Sequence, residues 1–244
     1  FSAGYPHSNL VAYDVVTGGV RDWNPGVDGR VYTLAVSDSV VYAGGEFTSI
    51  GGQSRSNIAA LDRETGSATE WNPGADGRVS ALAVSGETIY SGGDFTRIGG
   101  EPRGGAAALD AVSGRATAWD PKANDSVYAL SISGTTVYMG GGFTSLGGQP
   151  RSCLAAFDTA TGALKDWNPE VLPLYSYYSD YFNGSGIFAM AVSGETVYFG
   201  GLFYKVDGQD RICLAAVDTE TGEVTGWNPV ADHTVQALAV SGST

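Results

Sequence analysis

A unit of 48 residues recurs along this chain with little variation, and every tryptophan marks the same point in it. Trp23, Trp71, Trp119, Trp167 and Trp227 each open a W-N/D-P triplet; the first three spacings are 48 residues and the last is 60. A period in this range makes each unit one supersecondary motif whose apolar face is buried only by stacking on its neighbours. Positions on which all copies agree therefore serve the stack. Positions where one copy departs are where function is to be sought. With 36 glycines and only 16% charged residues in 244, the composition is that of turn-rich β-structure and not of disorder.

Each unit parses into four short strands. The first reads V-x-A-L-A-V-S (79–85 and 127–133), and an S-G-E-T or S-G-T-T turn leads to V-Y-x-G-G-x-F (137–143). A glycine-rich loop, T-S-I-G-G-Q-S-R at 48–55, precedes L-A-A-x-D, and the D-x-x-T-G turn (158–162) opens the last strand, which W-N-P ends. Four antiparallel strands per unit is the pattern of a propeller blade. The expected fold is all-β: a single domain, 1–244, forming a five-bladed β-propeller of four-stranded antiparallel blades. Four blades span 31–73, 79–121, 127–169 and 187–229. The fifth is split between 235–244 and 1–25, so that pairing of the N- and C-terminal segments closes the ring and hides its edges. That blade lacks roughly six residues of V-Y-x-G-G-x type, its second strand: either the chain is an excerpt of a longer array, the favoured expectation, or a neighbouring molecule donates the strand, or the blade is incomplete.

The motifs F-T-x-I-G-G-x-x-R, L-A-A-x-D-x-x-T-G and W-N-P-x-x-D-G-x-V resemble the bacterial β-propeller repeats of secreted and cell-surface proteins, and are distantly similar to kelch and galactose-oxidase-like propellers. In size and blade number the chain is also similar, by architecture alone, to five-bladed lectins of the tachylectin type. The resemblance covers the whole chain and implies an extracellular setting, secreted or attached to a cell surface. It carries no common activity, since fold does not dictate function.

A net charge of −13 repels polyphosphates and anionic membrane surfaces, which excludes nucleic acid as a partner, and no apolar run is long enough for membrane insertion. Cys153 and Cys213 fall at the same point of successive units, too far apart for a disulfide, and read as buried free thiols. Asp14, Asp62, Asp110, Asp158 and Asp218 recur before the T-G turn, where a turn-capping role suffices. Asp28, Asp76 and Asp232 offer oxygen ligands of the kind Ca²⁺ takes, but one carboxylate per loop is too few, and no cofactor is expected. Arg55, Arg103, Arg151 and Arg211 recur as braces of the glycine-rich loops or partners of nearby Asp.

Subtracting the repeat leaves three departures. The segment E-V-L-P-L-Y-S-Y-Y-S-D-Y-F-N-G-S-G (170–186) is longer by 12 residues than its counterparts and brings Tyr175, Tyr177, Tyr178, Asp180, Tyr181, Phe182 and Asn183. Tyr-, Ser-, Asn- and Gly-rich loops give large contact area at low entropic cost. The glycine loop of the following unit is rewritten as F-Y-K-V-D-G, with Tyr204, Lys205 and Asp207 in place of the usual residues. Both histidines, His7 and His233, belong to the fifth unit, where two imidazoles without further ligands read as polar loop residues and not as a metal centre. These twelve residues form the candidate ligand-binding set. The expected function is extracellular recognition of a glycan or a protein, on a cell surface or within a larger assembly, through the loop face of blades four and five. The alternatives are a structural scaffold domain of such an assembly and, below it, a glycosidase using Glu46 and Asp94; without a nucleophile–base pair the chain reads as a non-enzyme.

Overall fold

A computed structural model describes residues 9–174 and 185–241, and no helix occurs among them. The chain divides into two compact units: one comprises Phe1–Ser91, Phe95–Arg103 and Ala107–Ala118, the other Gly92–Asp94, Gly104–Ala106 and Trp119–Thr244.

Each of the first four repeat copies forms one antiparallel sheet. In copy one, β1 (Arg30–Val36), β2 (Val40–Glu46) and β5 (Ile58–Asp62) pair in the order β1-β2-β5, and β3 (Ser49–Ile50) with β4 (Gln53–Ser54) forms a small hairpin beside them. Copy two repeats this with β6 (Val79–Ser85), β7 (Thr88–Gly93) and β10 (Ala106–Asp110), plus the hairpin β8 (Arg97–Ile98)–β9 (Glu101–Pro102). Copy three has β11 (Val127–Ser133), β12 (Thr136–Gly141) and β15 (Leu154–Asp158), with β13 (Ser145–Leu146) and β14 (Gln149–Pro150). Copy four differs: β16 (Val171–Pro173), β17 (Gly186–Ser193), an eleven-residue β18 (Thr196–Val206), β19 (Gln209–Asp210) and β20 (Leu214–Asp218) form one five-stranded sheet.

Two details depart from the strand pattern expected from sequence. The glycine-rich loop is itself a hairpin, because consecutive residues of positive φ (Gly51 and Gly52, 62° and 77°) make the two-residue turn that matches strand twist. The fourth strand is reduced to one bridge per copy, such as Leu61↔Ala68 and Val217↔Val224. The D-x-x-T-G turn starts it, and the chain then leaves the sheet so that Trp can reach the next copy. The fifth copy forms no sheet among the described residues. Residues 10–25 carry the bridge Tyr13↔Val20, and 235–241 carry no ladder among the described residues. Val235 nonetheless takes its place: its N–H donates to Gly201 O and its side chain meets Gly200, as Val79 meets Gly44 in copy one.

The core lies between successive copies. Tyr42, Ile58, Ala60 and Trp71 of copy one pack on Val79, Leu82, Ile89, Phe95 and Leu109 of copy two, and Tyr138, Leu154 and Trp167 pack likewise on Ile187, Val197, Phe199 and Phe203. The ring of Tyr42 meets Trp71 edge-on at 5.2 Å, and Tyr138 meets Trp167 in the same way at the same distance. Three of the tryptophans also donate Nε1–H to the carbonyl of the turn Asp in the next copy: Trp23 to Asp62 (3.2 Å), Trp71 to Asp110 (2.9 Å), Trp167 to Asp218 (2.9 Å). The turn glycine lies against the same indole; a Cβ at Gly114 would stand 3.5 Å from Trp71 Nε1. Trp71→Phe is expected to lower stability by about 1–3 kcal/mol through the lost bond and the space left behind. Trp227→Phe, at a site where the indole is 39% exposed, is expected to cost under about 0.5 kcal/mol. Urea unfolding of the two variants checks the contrast.

Candidate functional site

The two largest departures from the repeat meet on one strand. In copies one to three the strand stops at F-T because the W-N-P-x-x-D residue captures the next backbone. Asp28 accepts from Thr48 N (2.9 Å), Ser49 N (3.0 Å) and the Thr48 hydroxyl (2.5 Å); Asp76 does the same at Thr96 and Arg97. Asn124 takes the role in copy three, its Oδ1 accepting from Thr144 N and Ser145 N while its Nδ2 donates to the Thr144 hydroxyl. Leu172 stands at that point in copy four and has nothing to offer, and Tyr204 replaces the Thr. Backbone takes over: Val171 pairs with Val206, Leu172 with Lys205 and Pro173 with Phe203, and the Leu174 N–H donates to Leu202 O at 3.1 Å. β18 is long because it has gained β16 as a neighbour.

The far end of the insertion returns to the same residue, Gly186 pairing with Leu202. Both roots of the insertion are thus fixed at one point of a central strand. Gly186 has φ 138°, and a Cβ there would run into Gly141 O, so only glycine fits. Tyr175, Tyr177, Tyr178, Asp180, Tyr181, Phe182 and Asn183, together with His7, lie outside the described residues.

The four candidates that are described have separate circumstances. Tyr204 is 39% exposed on β18. Lys205 Nζ donates to Asp210 Oδ1 at 2.7 Å, and that carboxylate raises the ammonium above its ordinary value while Lys205 lowers Asp210. Asp207 is structural: its Oδ1 accepts from Glu170 N at 2.7 Å and its own N–H donates to Glu170 O, which ties the rewritten turn to the base of the insertion. With φ 45°, followed by Gly208 at 73°, it keeps the two-residue hairpin turn of the other copies in its Asp-Gly form. His233 is exposed, and its Nδ1 accepts from Thr234 N at 2.8 Å.

The repeated polar residues serve the fold. Oδ1 of Asp62 accepts from Glu64 N, Thr65 N and the Thr65 hydroxyl, and Asp14, Asp110, Asp158 and Asp218 repeat the arrangement; the Thr65 N–H, chiefly, holds the Asp62 carboxyl below its ordinary value. Arg55 donates to Ser54 O and Thr69 O, and Arg103, Arg151 and Arg211 brace their loops through the equivalent carbonyls, with no ion pair to an Asp carboxylate among the described residues. Cys153 and Cys213 are buried and free, and burial pushes the Cys153 thiol up to about 12. Among the described residues no three His, Cys, Asp or Glu side chains converge as a metal site.

Sequence reasoning passed over one position, the x of V-x-A-L. It is the extra residue of a β-bulge in three ladders, as Tyr32, Tyr128 and Phe188. Its variation from copy to copy (Tyr, Ser, Tyr, Phe, Gln), between a Val or Ile before it and an Ala or Thr after it, is the available signal.

Twisted antiparallel sheets repeated at a fixed period, with the core between them, define the protein as a β-propeller domain. It belongs to the PQQ_2 family, described as outer membrane protein assembly factor BamB, whose model matches residues 7–244. Among solved structures, the computationally designed Ika8 protein aligns with 95% of this chain at 21% identity and TM-score 0.57. A chain of the mitotic checkpoint complex aligns with 93% at 18% identity and TM-score 0.58. The extracellular domain of the putative hybrid two-component system BT4673 from B. thetaiotaomicron aligns with 87% at 16% identity and TM-score 0.54. The chain spans 59%, 62% and 24% of these proteins respectively. No curated protein matches it significantly.

Gly186→Ala is expected to cost on the order of 2–4 kcal/mol in urea unfolding, from backbone strain and the collision with Gly141. The latch carboxylates predict a pH effect. The Thr48 hydroxyl and the Ser49 and Thr48 N–H groups hold Asp28 at about 2. A carboxyl depressed in the folded state stabilises fully above its unfolded value near pH 4 and loses that contribution as the pH falls towards 2. Asp28→Asn, which copies Asn124, is expected to keep the latch and to flatten the fall in melting temperature between pH 4 and 2.

Proposed function

We propose that this domain is an extracellular recognition module that binds a glycan or a protein surface through the insertion and the rewritten loop of copy four, with the fifth copy beside them. The observation that carries the reading is the double anchoring of the insertion at Leu202. A segment of this composition needs a rigid base for its aromatic side chains to serve as contact surface, since ordering a free loop on binding costs affinity. Tyr175, Tyr177, Tyr178, Tyr181 and Phe182 supply apolar surface in this reading, joined by Tyr204, while Asp180, Asn183 and Lys205 supply hydrogen bonds. His7 and His233 complete the proposed set. Asp207 holds the base and does not contact ligand.

A second reading, a scaffold domain of a larger assembly, draws support from the family's description as an assembly factor. In that case the same surface seats another domain or subunit. Catalysis is not part of the proposal: Glu46 accepts a hydrogen bond from the Tyr32 hydroxyl (3.4 Å) and stands opposite Arg30 in the ladder, so its carboxylate already has a partner within its own sheet.

Tyr177→Ala/Tyr178→Ala is expected to lose at least tenfold in affinity for the glycan or surface protein captured by wild type, about 1.4 kcal/mol, with an unchanged melting temperature. Glycan arrays and native mass spectrometry check this. Unchanged binding refutes the site, and a stable complex with a protein subunit through the insertion selects the scaffold reading.

A further inference from the structure

The first strand of copy one keeps an apolar face that the other copies cover. Leu34 and Val36 are 46% and 57% exposed, whereas Leu82, one period after Leu34, is 8% exposed. Leu130 and Met190, the next two equivalents, likewise pack against buried clusters. In copy two the cover is the preceding copy, whose Tyr42, Ile58, Ala60 and Trp71 share one cluster with Leu82. On the corresponding side of Leu34 stand Leu10, Ala12 and Trp23, the equivalents of Ile58, Ala60 and Trp71. A cavity of about 790 Å³ opens between these three and Leu34, Val36 and Arg63.

The other copies define what such a cavity takes. Each W-N-P indole in Trp71, Trp167 and Trp227 meets the second-strand tyrosine edge-on at 5.2 Å, namely Tyr42, Tyr138 and Tyr198. The Tyr138 hydroxyl donates at 3.0 Å to the carbonyl of Thr219, the residue after the turn Asp218. In copy one that residue is Arg63, after Asp62, and it lines the cavity. The glycine two places after the tyrosine is dictated by the neighbouring first strand. A Cβ at Gly44 would come within 2.7 Å of Val79, and one at Gly140 within 2.7 Å of Ile187; Val31 holds that position in copy one.

The backbone beside the cavity is also prepared. On one side of residues 10–14, Asp14 N–H donates to Gly19 O and Ala12 O accepts from Arg21 N–H. Alternation turns the backbone groups of Val11 and Tyr13 to the other side. Their equivalents Ala59 and Leu61 pair there with Ala43 and Val41 of β2, whereas Val11 and Tyr13 form no ladder on that side among the described residues. An open edge of this kind is a template for a further strand.

We propose that this groove accepts, in trans, an extended V-Y-x-G-G segment of another polypeptide, added as a strand along residues 10–14. Its tyrosine fills the cavity against Trp23 and Leu34 and donates to Arg63 O, its first glycine clears Val31, and its backbone pairs with Val11 and Tyr13. Main-chain bonds supply affinity and the tyrosine pocket supplies specificity. The groove continues the interface that already joins the copies, which is why the occupant carries the repeat's own chemistry. The proposal uses none of the insertion's residues and holds whichever reading of that segment is correct.

The probe is a synthetic peptide with the sequence of residues 194–202, G-E-T-V-Y-F-G-G-L, added to the full chain. Calorimetry reads its affinity, and hydrogen exchange reads the Val11 and Tyr13 amides. Binding is expected, with both amides becoming protected. Peptides carrying Tyr198→Ala or Gly200→Val should bind at least tenfold more weakly, as should the original peptide to a Leu34→Asp chain. Val112→Asp, at an exposed valine in copy two, should leave binding unchanged. If Leu34→Asp melts early, Val36→Asp decides in its place. Absence of binding overturns the proposal, as does equal binding of the altered peptides. Amides already protected without peptide place a strand of the chain itself in the groove and overturn the trans assignment. A dimer in native mass spectrometry that Leu34→Asp dissolves assigns the groove to a second copy and overturns it too.

Discussion

The stack depends first on one bond between neighbours, the indole N–H of Trp23, Trp71 and Trp167 donated to the carbonyl of the Asp that opens the next copy's turn. That carbonyl already accepts from the turn glycine, as Asp110 does from Gly114, so the indole completes a turn that is closed locally. The indole itself is sandwiched, with Tyr42 against its edge and Gly114 against its nitrogen side in the case of Trp71. Burying a tryptophan removes on the order of 200 Å² from water, several kcal/mol at about 25 cal/mol/Å². A single hydrogen bond adds about 1 kcal/mol and fixes register, which area alone cannot do. The separation of 39 residues between donor and acceptor, 51 where the insertion intervenes, shows that the staple tolerates any length placed between its ends.

That tolerance explains where a functional segment is placed. The insertion enters after W-N-P, between the two ends of the copy-three staple, and leaves before Ile187 begins the next first strand. It removes the Asp–Thr latch that closes this connection elsewhere. The latch comprises three hydrogen bonds accepted by one carboxylate, and the replacement comprises the backbone ladder between β16 and β18 together with the Glu170 N–H donated to Asp207. The exchange turns a connection held by one side chain into a sheet edge held by backbone, which is the stiffer base. Leu172, Tyr204 and Asp207 are therefore one coordinated change spread over two distant stretches of sequence.

This coordination is also where sequence reading reaches its limit. The period, the core positions and the turn role of Asp62 and its equivalents follow from spacing and residue type, because these are local rules applied in every copy. Tyr204 and Asp207 stand out as departures by the same logic, yet only coordinates distinguish an exposed ring from a carboxylate spent on a backbone N–H. The fourth strand was over-read, since one bridge and four leave the same alternating residues. The left-handed position shared by Asn9, Asn57, Cys153 and Cys213 was invisible as such (φ between 62° and 66°). Asn is at home there, its amide bonding Val27 O or Ala75 O. Cys is not, and at Cys153 the preceding Ser152 hydroxyl supplies the bond to Val171 O instead.

A stack of near-identical copies leaves few places free for recognition, and these are set by geometry more than by chemistry. A position facing the next copy is held by the staple and the core; a turn position is held by its glycine or aspartate. The bulged residue of the first strand escapes both constraints, because the bulge removes it from the packed alternation while its neighbours keep the ladder in register. Variation there costs the fold little, as the sequence Tyr, Ser, Tyr, Phe, Gln attests.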